Sequence, residues 1–229
     1  MMNRTNISVL FLIFWVCGSV HAQWVKEDDS SSVWFDEGIY LSQEAFFSNQ
    51  PDLMFPNKED SDWRFQDSLF RQGIVYRIDR PEINEGNFDL KARAIVGRKG
   101  DSLKVIALNK VWGACILGIP YMHQENSVQG NFIRIPVLGT VSYLNYALRI
   151  EDNFMTMDAR MAGVGVQTDF LQLIVDFSGK RFLKHNRKNL EKILESDKNL
   201  YQKYKMEKGK SKAIYRYIKL FNEAHPLTF

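Results

Sequence analysis

The hydrophobic period of this chain changes at Ser178-Gly179, and that change decides which class of fold is open to it. Before it, apolar residues alternate. Gln167 to Phe177 places Leu171, Leu173, Val175 and Phe177 on one face and Gln172 and Asp176 on the other, the period of a strand in a sheet covered on one side. Ile74–Ile78, Leu90–Val96, Leu103–Leu108, Val111–Leu117, Ile119–His123, Phe132–Leu138 and Val141–Ile150 are β-branched or aromatic runs separated by turn residues. Gly97–Asp101 reads as a hairpin turn, and Gly118 and Gly139 separate further pairs. Short strands joined by short turns, with no helical period between them, predict antiparallel pairing from Gly73 to Phe177.

After Ser178-Gly179 the period becomes helical. Leu190, Ile193 and Leu194 fall at i, i+3, i+4; Asp197 is placed to cap a segment bearing Leu200, Tyr201 and Tyr204. Past Gly209, Ile214, Tyr217, Ile218 and Phe221 line one face of a helix whose other face holds Lys212, Arg216, Lys219 and Glu223, and Pro226 stops it. The expected fold is α+β: a mostly antiparallel β-sheet domain with two or three C-terminal helices.

The first 22 residues have the form of a secretory signal. Arg4 is the positive start, Ile7–Val16 the apolar run, and Val20-His21-Ala22 a small-residue site, so cleavage is expected after Ala22. The run is shorter than the roughly 20 apolar residues a transmembrane helix needs. Lipidation at Cys17 requires small residues just before it, and Trp15 and Val16 are too large. The expected plan is a signal peptide at 1–22, a flexible lead-in at 23–36, a β-rich domain at 37–179 and a basic helical segment at 180–229 packed on it. Within the domain, Glu37–Leu41 reads as a strand, Ser42 as the N-cap of a helix through Phe47, Asn49-Gln50-Pro51 as its stop, and Pro56–Asp62 as a loop. Cys17 leaves with the signal, so Cys115 stands alone and no disulfide scaffold forms despite the oxidising destination, periplasmic or extracellular.

Several short motifs resemble a family of exported proteins from Bacteroidetes: Gly38-Ile39-Tyr40-Leu41-Ser42 with Phe46 and Asn49-Gln50-Pro51; Val111-Trp112-Gly113; Gly179-Lys180; and Tyr217-Ile218-Lys219 with Phe221-Asn222-Glu223-Ala224-His225-Pro226. The resemblance covers most of the chain after the signal and departs from it at Ala114-Cys115-Ile116. It implies a cell-envelope location and an α+β domain; it brings no activity and no functional residue.

Residues of catalytic type are present but poorly placed. A thiol nucleophile needs a base and oxyanion donors. Cys115 has His123 eight residues on; with Gly118 central to the turn, position 121 lies opposite Cys115 and His123 is displaced by two. Ala114 and Ile116 make an apolar setting that favours an inert, buried thiol. Met155, Met157 and Met161 are thioethers of the kind that select Cu(I), but no His or Cys accompanies them. Asp60-Ser61-Asp62 lacks the glycine and distal glutamate of a calcium loop, His123, His185 and His225 lack zinc spacing, and Gly163-Val164-Gly165 lacks the third glycine of a dinucleotide site. Carboxylates are plentiful, yet none is singled out as a glycosidase-type pair. No catalytic, cofactor or metal residues are therefore assigned.

Charge is distributed unevenly. Residues 180–229 hold 14 Lys/Arg against 5 Asp/Glu, whereas 23–179 hold 15 against 22. Lys198, Lys203, Lys205, Lys208, Lys210, Lys212, Arg216 and Lys219 make a basic tail suited to an acidic envelope component or an anionic lipid surface, and equally to solvation or to the chain's own acidic body. Nucleic acid is excluded as a partner on compartment and motif. The functional expectation is an exported envelope protein that binds a ligand or partner without catalysis. The alternatives are a hydrolase using Cys115/His123 or scattered carboxylates, and peripheral attachment to anionic membrane through the basic helices.

Overall fold

The structure is a computed structural model that describes residues 35–57, 62–78, 86–149 and 168–229. The segment read as a signal peptide, most of that read as a lead-in, Asp60, Ser61, the methionines at 155, 157 and 161 and Gly163-Val164-Gly165 lie outside the described residues.

Among the described residues, ten strands form three sheets. The first contains β1 (Gly38–Tyr40), β5 (Gly113–Ile116), β6 (Ile119–His123) and β7 (Phe132–Arg134), in that order and all antiparallel. The second contains β2 (Ile74–Val75), β3 (Ala94–Lys99) and β4 (Ser102–Ala107). The third is ordered β10 (Arg181–Lys184), β9 (Thr168–Asp176), β8 (Val141–Arg149). The helices are α1 (Gln43–Phe47), α2 (Trp63–Arg71), α3 (Arg187–Leu194), α4 (Lys198–Met206) and α5 (Lys210–Ala224). The α+β class, the antiparallel majority and the C-terminal helices agree with the sequence reading.

Four expectations are corrected. The strands do not form one sheet, and β2 pairs with β3 in parallel. Leu90–Arg93 is outside the strand, which instead runs through Gly97 to Lys99; the hairpin turns on Gly100-Asp101 alone, with Gly100 at φ 58°. Gly97 is there for packing: a Cβ would lie 2.7 Å from the Cβ of Leu53. The segment from 180 is not helical from its start, because Arg181–Lys184 first closes the third sheet against β9. Finally, β9 is covered on both faces at its C-terminal end, where Ile174, Val175 and Asp176 are all buried.

The buried clusters follow the sheet faces. Ile174 and Val141, on one face of the third sheet, join Leu190, Leu194, Tyr204, Ile214, Tyr217 and Phe221 of α3–α5. Its other face, through Leu144, Tyr146 and Val175, shares a cluster with Cys115, Ile133 and Phe46. The opposite side of the first sheet, through Ala114, Tyr121 and Phe132, meets Ile95 of the second. The far face of the second sheet, at Val96, receives Leu69 of α2. The layers thus run α3–α5, third sheet, first sheet, second sheet, α2.

Local chemistry sets the helix starts. Ser42 Oγ accepts from Ala45 N–H, Asp62 from Arg64, Asn186 from Asn189, and Asp197 from Asn199 and Leu200. Each satisfies N–H groups that a helix start leaves unpaired. The helical layer is tied to the third sheet by Asn222, whose amide accepts from Val141 N–H at 2.8 Å and donates to the carbonyls of Val141 at 2.7 Å and Leu138 at 3.2 Å.

Candidate functional site

Cys115 and His123 do not meet. Leu117 and Gly118 both have positive φ and form a two-residue turn, so Ile116 opposes Ile119 and Cys115 opposes Pro120. The expected opposition of position 121 to Cys115 was one residue out. A shift of one reverses faces: Cys115 shares its face with Met122, whereas His123 lies on the other, its ring 5.2 Å from that of Phe132. The sheet separates thiol and imidazole. Cys115 is fully buried and its Sγ is 3.5 Å from the carbonyl of Phe35. Burial, with the Glu37 carboxylate adding to it, pushes the thiol up to about 12, leaving it protonated at neutral pH. Burial also pushes the His123 imidazole below its ordinary value.

Two other pairings have catalytic residue types. Lys180 Nζ donates to Ser48 Oγ at 2.9 Å. A lysine acts as a base for serine only when burial makes it neutral, and Lys180 is exposed. His225 Nε2 sits 3.1 Å from Asp197 Oδ2. The Asp197 carboxylate is held below its usual range first by the Leu200 N–H, then by His225. The carbonyl of His225 accepts from the Thr140 hydroxyl. Together these contacts clip the C-terminal tail between α4 and β8.

That tail completes a groove of about 710 Å³ between the end of α1, the β9–β10 turn and residues 224–229. The turn is rigid. The Asp176 carboxylate, 2% exposed, accepts from Ser178 Oγ at 2.9 Å, Gly179 N–H at 2.8 Å and Arg181 Nε at 2.9 Å. A Cβ at Gly179 would stand 2.4 Å from Asp176 Oδ2. Lys180 follows at φ 50°, with its carbonyl accepting from Gln43 Nε2 at 3.2 Å. The groove thereby gathers the Lys180 ammonium and the Ser48 and Ser178 hydroxyls beside the rings of Phe47, Phe177 and Phe229. Gly179-Lys180 was visible in the sequence as a motif, but nothing local marks Asp176 as the buried anchor of its turn.

The basic tail keeps its charge outward. Its ion pairs are mostly internal: Lys205 and Lys210 with Glu191 at 3.4 and 3.7 Å, Lys219 with Glu223 at 4.0 Å, and Arg216 with Glu207. Arg181 with Asp176 is the bridge from residues 180–229 to the body among the described residues. The helices therefore dock on the body by their apolar stripe. Also among the described residues, no group of three or more His, Cys, Asp or Glu is placed to hold a metal, and no helix is long and apolar enough to cross a membrane. No family model, no curated protein and no solved structure matches the chain.

Proposed function

We propose that the chain is an exported cell-envelope protein, of the Bacteroidetes type its motifs resemble, that binds its ligand without covalent chemistry in the groove at the C-terminal tail. The observation carrying this reading is the convergence there of one cation, Lys180, two hydroxyls, Ser48 and Ser178, and the exposed ring of Phe229, over buried Phe47 and Phe177 and beside a turn held by buried Asp176. A concave surface with a few convergent polar groups beside apolar ones is a common form of a small-ligand site, and here polar and apolar groups share the lining about equally. The complementary ligand has an apolar or aromatic body and an anionic end, the carboxylate meeting Lys180. The thiol form of the hydrolase alternative is disfavoured, since burial and the intervening sheet disarm Cys115 and His123.

Phenylacetate is a suitable probe, carrying one ring and one carboxylate. Titrated into isotope-labelled protein, it is expected to shift backbone amide resonances at Ser48, Ser178–Lys180 and Leu227–Phe229, saturably, with the effect lost in Lys180→Gln. Shifts confined to the exposed lysines of α3–α5, or unchanged in Lys180→Gln, would show that the groove is not the site.

A further inference from the structure

The opposite end of the layer stack carries a different surface. In α2, Leu69 packs inward and is 5% exposed, whereas Phe65 is 36% exposed and sets its ring edge-on 5.7 Å from that of Tyr76. Trp63 and Phe70 are 69% and 80% exposed. Seven residues apart, they lie within about 20° of one another around the helix. Arg64 and Arg71 repeat the same spacing beside them, and the Arg64 guanidinium lies 5.3 Å from the Trp63 ring. The second sheet extends this surface. Directly opposed antiparallel residues share a face; Met54 and Leu103 oppose Arg98, and Val105 opposes Val96, which is the residue packed on Leu69. Met54, Leu103 and Val105 are 50%, 37% and 50% exposed. Five large apolar side chains that most proteins would cover therefore open on one side.

The rim is basic. Asp62–Ile78 and Lys91–Lys110 hold nine Lys/Arg and three Asp/Glu. These three carboxylates are engaged: Asp62 caps α2, Asp67 pairs with Arg71 at 2.8 Å, and Asp101 lies 3.7 Å from Arg98; one further carboxylate, Glu37, lines the recess beside Met54 and Arg98. The combination of an indole, a phenyl ring and flanking guanidiniums suits the interfacial layer of a bilayer, where aromatics insert beneath headgroups and cations meet lipid phosphates. The basic helices at the other end offer charge, but their large exposed apolar groups, Met206, Tyr215 and Leu220, are scattered over two helices.

We propose that the α2 face, with Trp63 and Phe70 as its inserting residues, docks the protein on an anionic lipid surface. The test is co-sedimentation with phosphatidylcholine vesicles, with and without phosphatidylglycerol, while tryptophan emission is followed. Both the full chain and the chain lacking residues 1–22 are used, because Ile7–Val16 is itself apolar. Binding is expected to need phosphatidylglycerol, to weaken with salt, and to fall at least about tenfold in Trp63→Ser/Phe70→Ser, the scale set by two buried aromatic side chains. Arg64→Gln/Arg71→Gln should lower binding without changing the helical circular dichroism, and Lys203→Gln/Lys212→Gln should leave it intact. Glu59, Asp60, Asp79, Glu82 and Glu85 flank this surface in sequence, outside the described residues, so the salt titration reads the net field. Equal binding to neutral vesicles, retention in the Trp63/Phe70 variant, or a protein dimer abolished by that variant would overturn the proposal.

Discussion

Replacing Asn222 by alanine removes the clamp between the helical layer and the third sheet. Three hydrogen bonds disappear at once, to Val141 N–H, Val141 C=O and Leu138 C=O. Val141 is fully buried at the start of β8, so its N–H is poorly placed to recover a water partner. A typical hydrogen bond contributes about 0.5–1.5 kcal/mol net, and a buried donor left unpaired costs about 1–3 kcal/mol. Half-buried Asn222 lets water reach part of the site, which puts the loss at about 2–3 kcal/mol. For a domain of this size that is a fall in Tm of about 5–10 °C. Urea unfolding followed by circular dichroism is the assay: the midpoint should drop with the slope unchanged. Asn222→Asp provides a control, because it keeps an acceptor for Val141 N–H but sets a carboxylate against two carbonyls; it should be at least as costly near neutral pH and recover partly in acid. A loss below about 0.5 kcal/mol for Asn222→Ala, or a second transition for the helices alone, would refute the view that the layers form one cooperative unit.

Two further predictions concern the buried framework. Burial pushes the His123 and His185 imidazoles down from their ordinary value, so below about pH 6.5 the unfolded chain binds protons that the folded chain refuses. Stability should be full above that pH and fall as the pH is lowered, with His123→Phe flattening the dependence in a series of urea melts; a stability that rises on acidification across this range would contradict it. Gly113→Ala should abolish folding or cost more than about 3 kcal/mol, because its Cβ would lie 2.3 Å from the Tyr121 carbonyl oxygen, across the β5–β6 pair; a normal melt for that variant would show the register to be wrong.

The readable parts of this fold are those in which period and capping agree. Ser42 and Asp197 cap their helices as expected, and Ile214, Tyr217, Ile218 and Phe221 are buried together. The missed parts have local sequences that argue against their structure. The α2 helix exposes Trp63 and Phe70 while burying only Leu69, so its apolar residues do not mark one inward stripe. Strand β10, Arg-Phe-Leu-Lys, is too short to show a period and exists because β9 offers it an edge. The β5–β6 register turned on a single residue, since centring the turn on Gly118 rather than between Leu117 and Gly118 reverses the face presented by His123. The groove was least legible of all. Its walls come from α1, the β9–β10 turn and the C-terminal tail, which are brought together by the buried Asp176 and the His225–Asp197 contact. Gly179 and Gly113, both in the motifs behind the family resemblance, stand at close approaches to Asp176 and Tyr121 respectively.

On the function proposed above, Cys115 and Ser48 serve the framework and the chain acts by binding. Intact-mass spectrometry of the native protein lacking residues 1–22, after exposure to a serine-directed fluorophosphonate and to iodoacetamide, tests it most directly. The expected result is an unmodified mass with both reagents, and alkylation of Cys115 only after denaturation. Stoichiometric labelling of Ser48, or of Cys115 in the folded state with loss of labelling in His123→Ala, would contradict it.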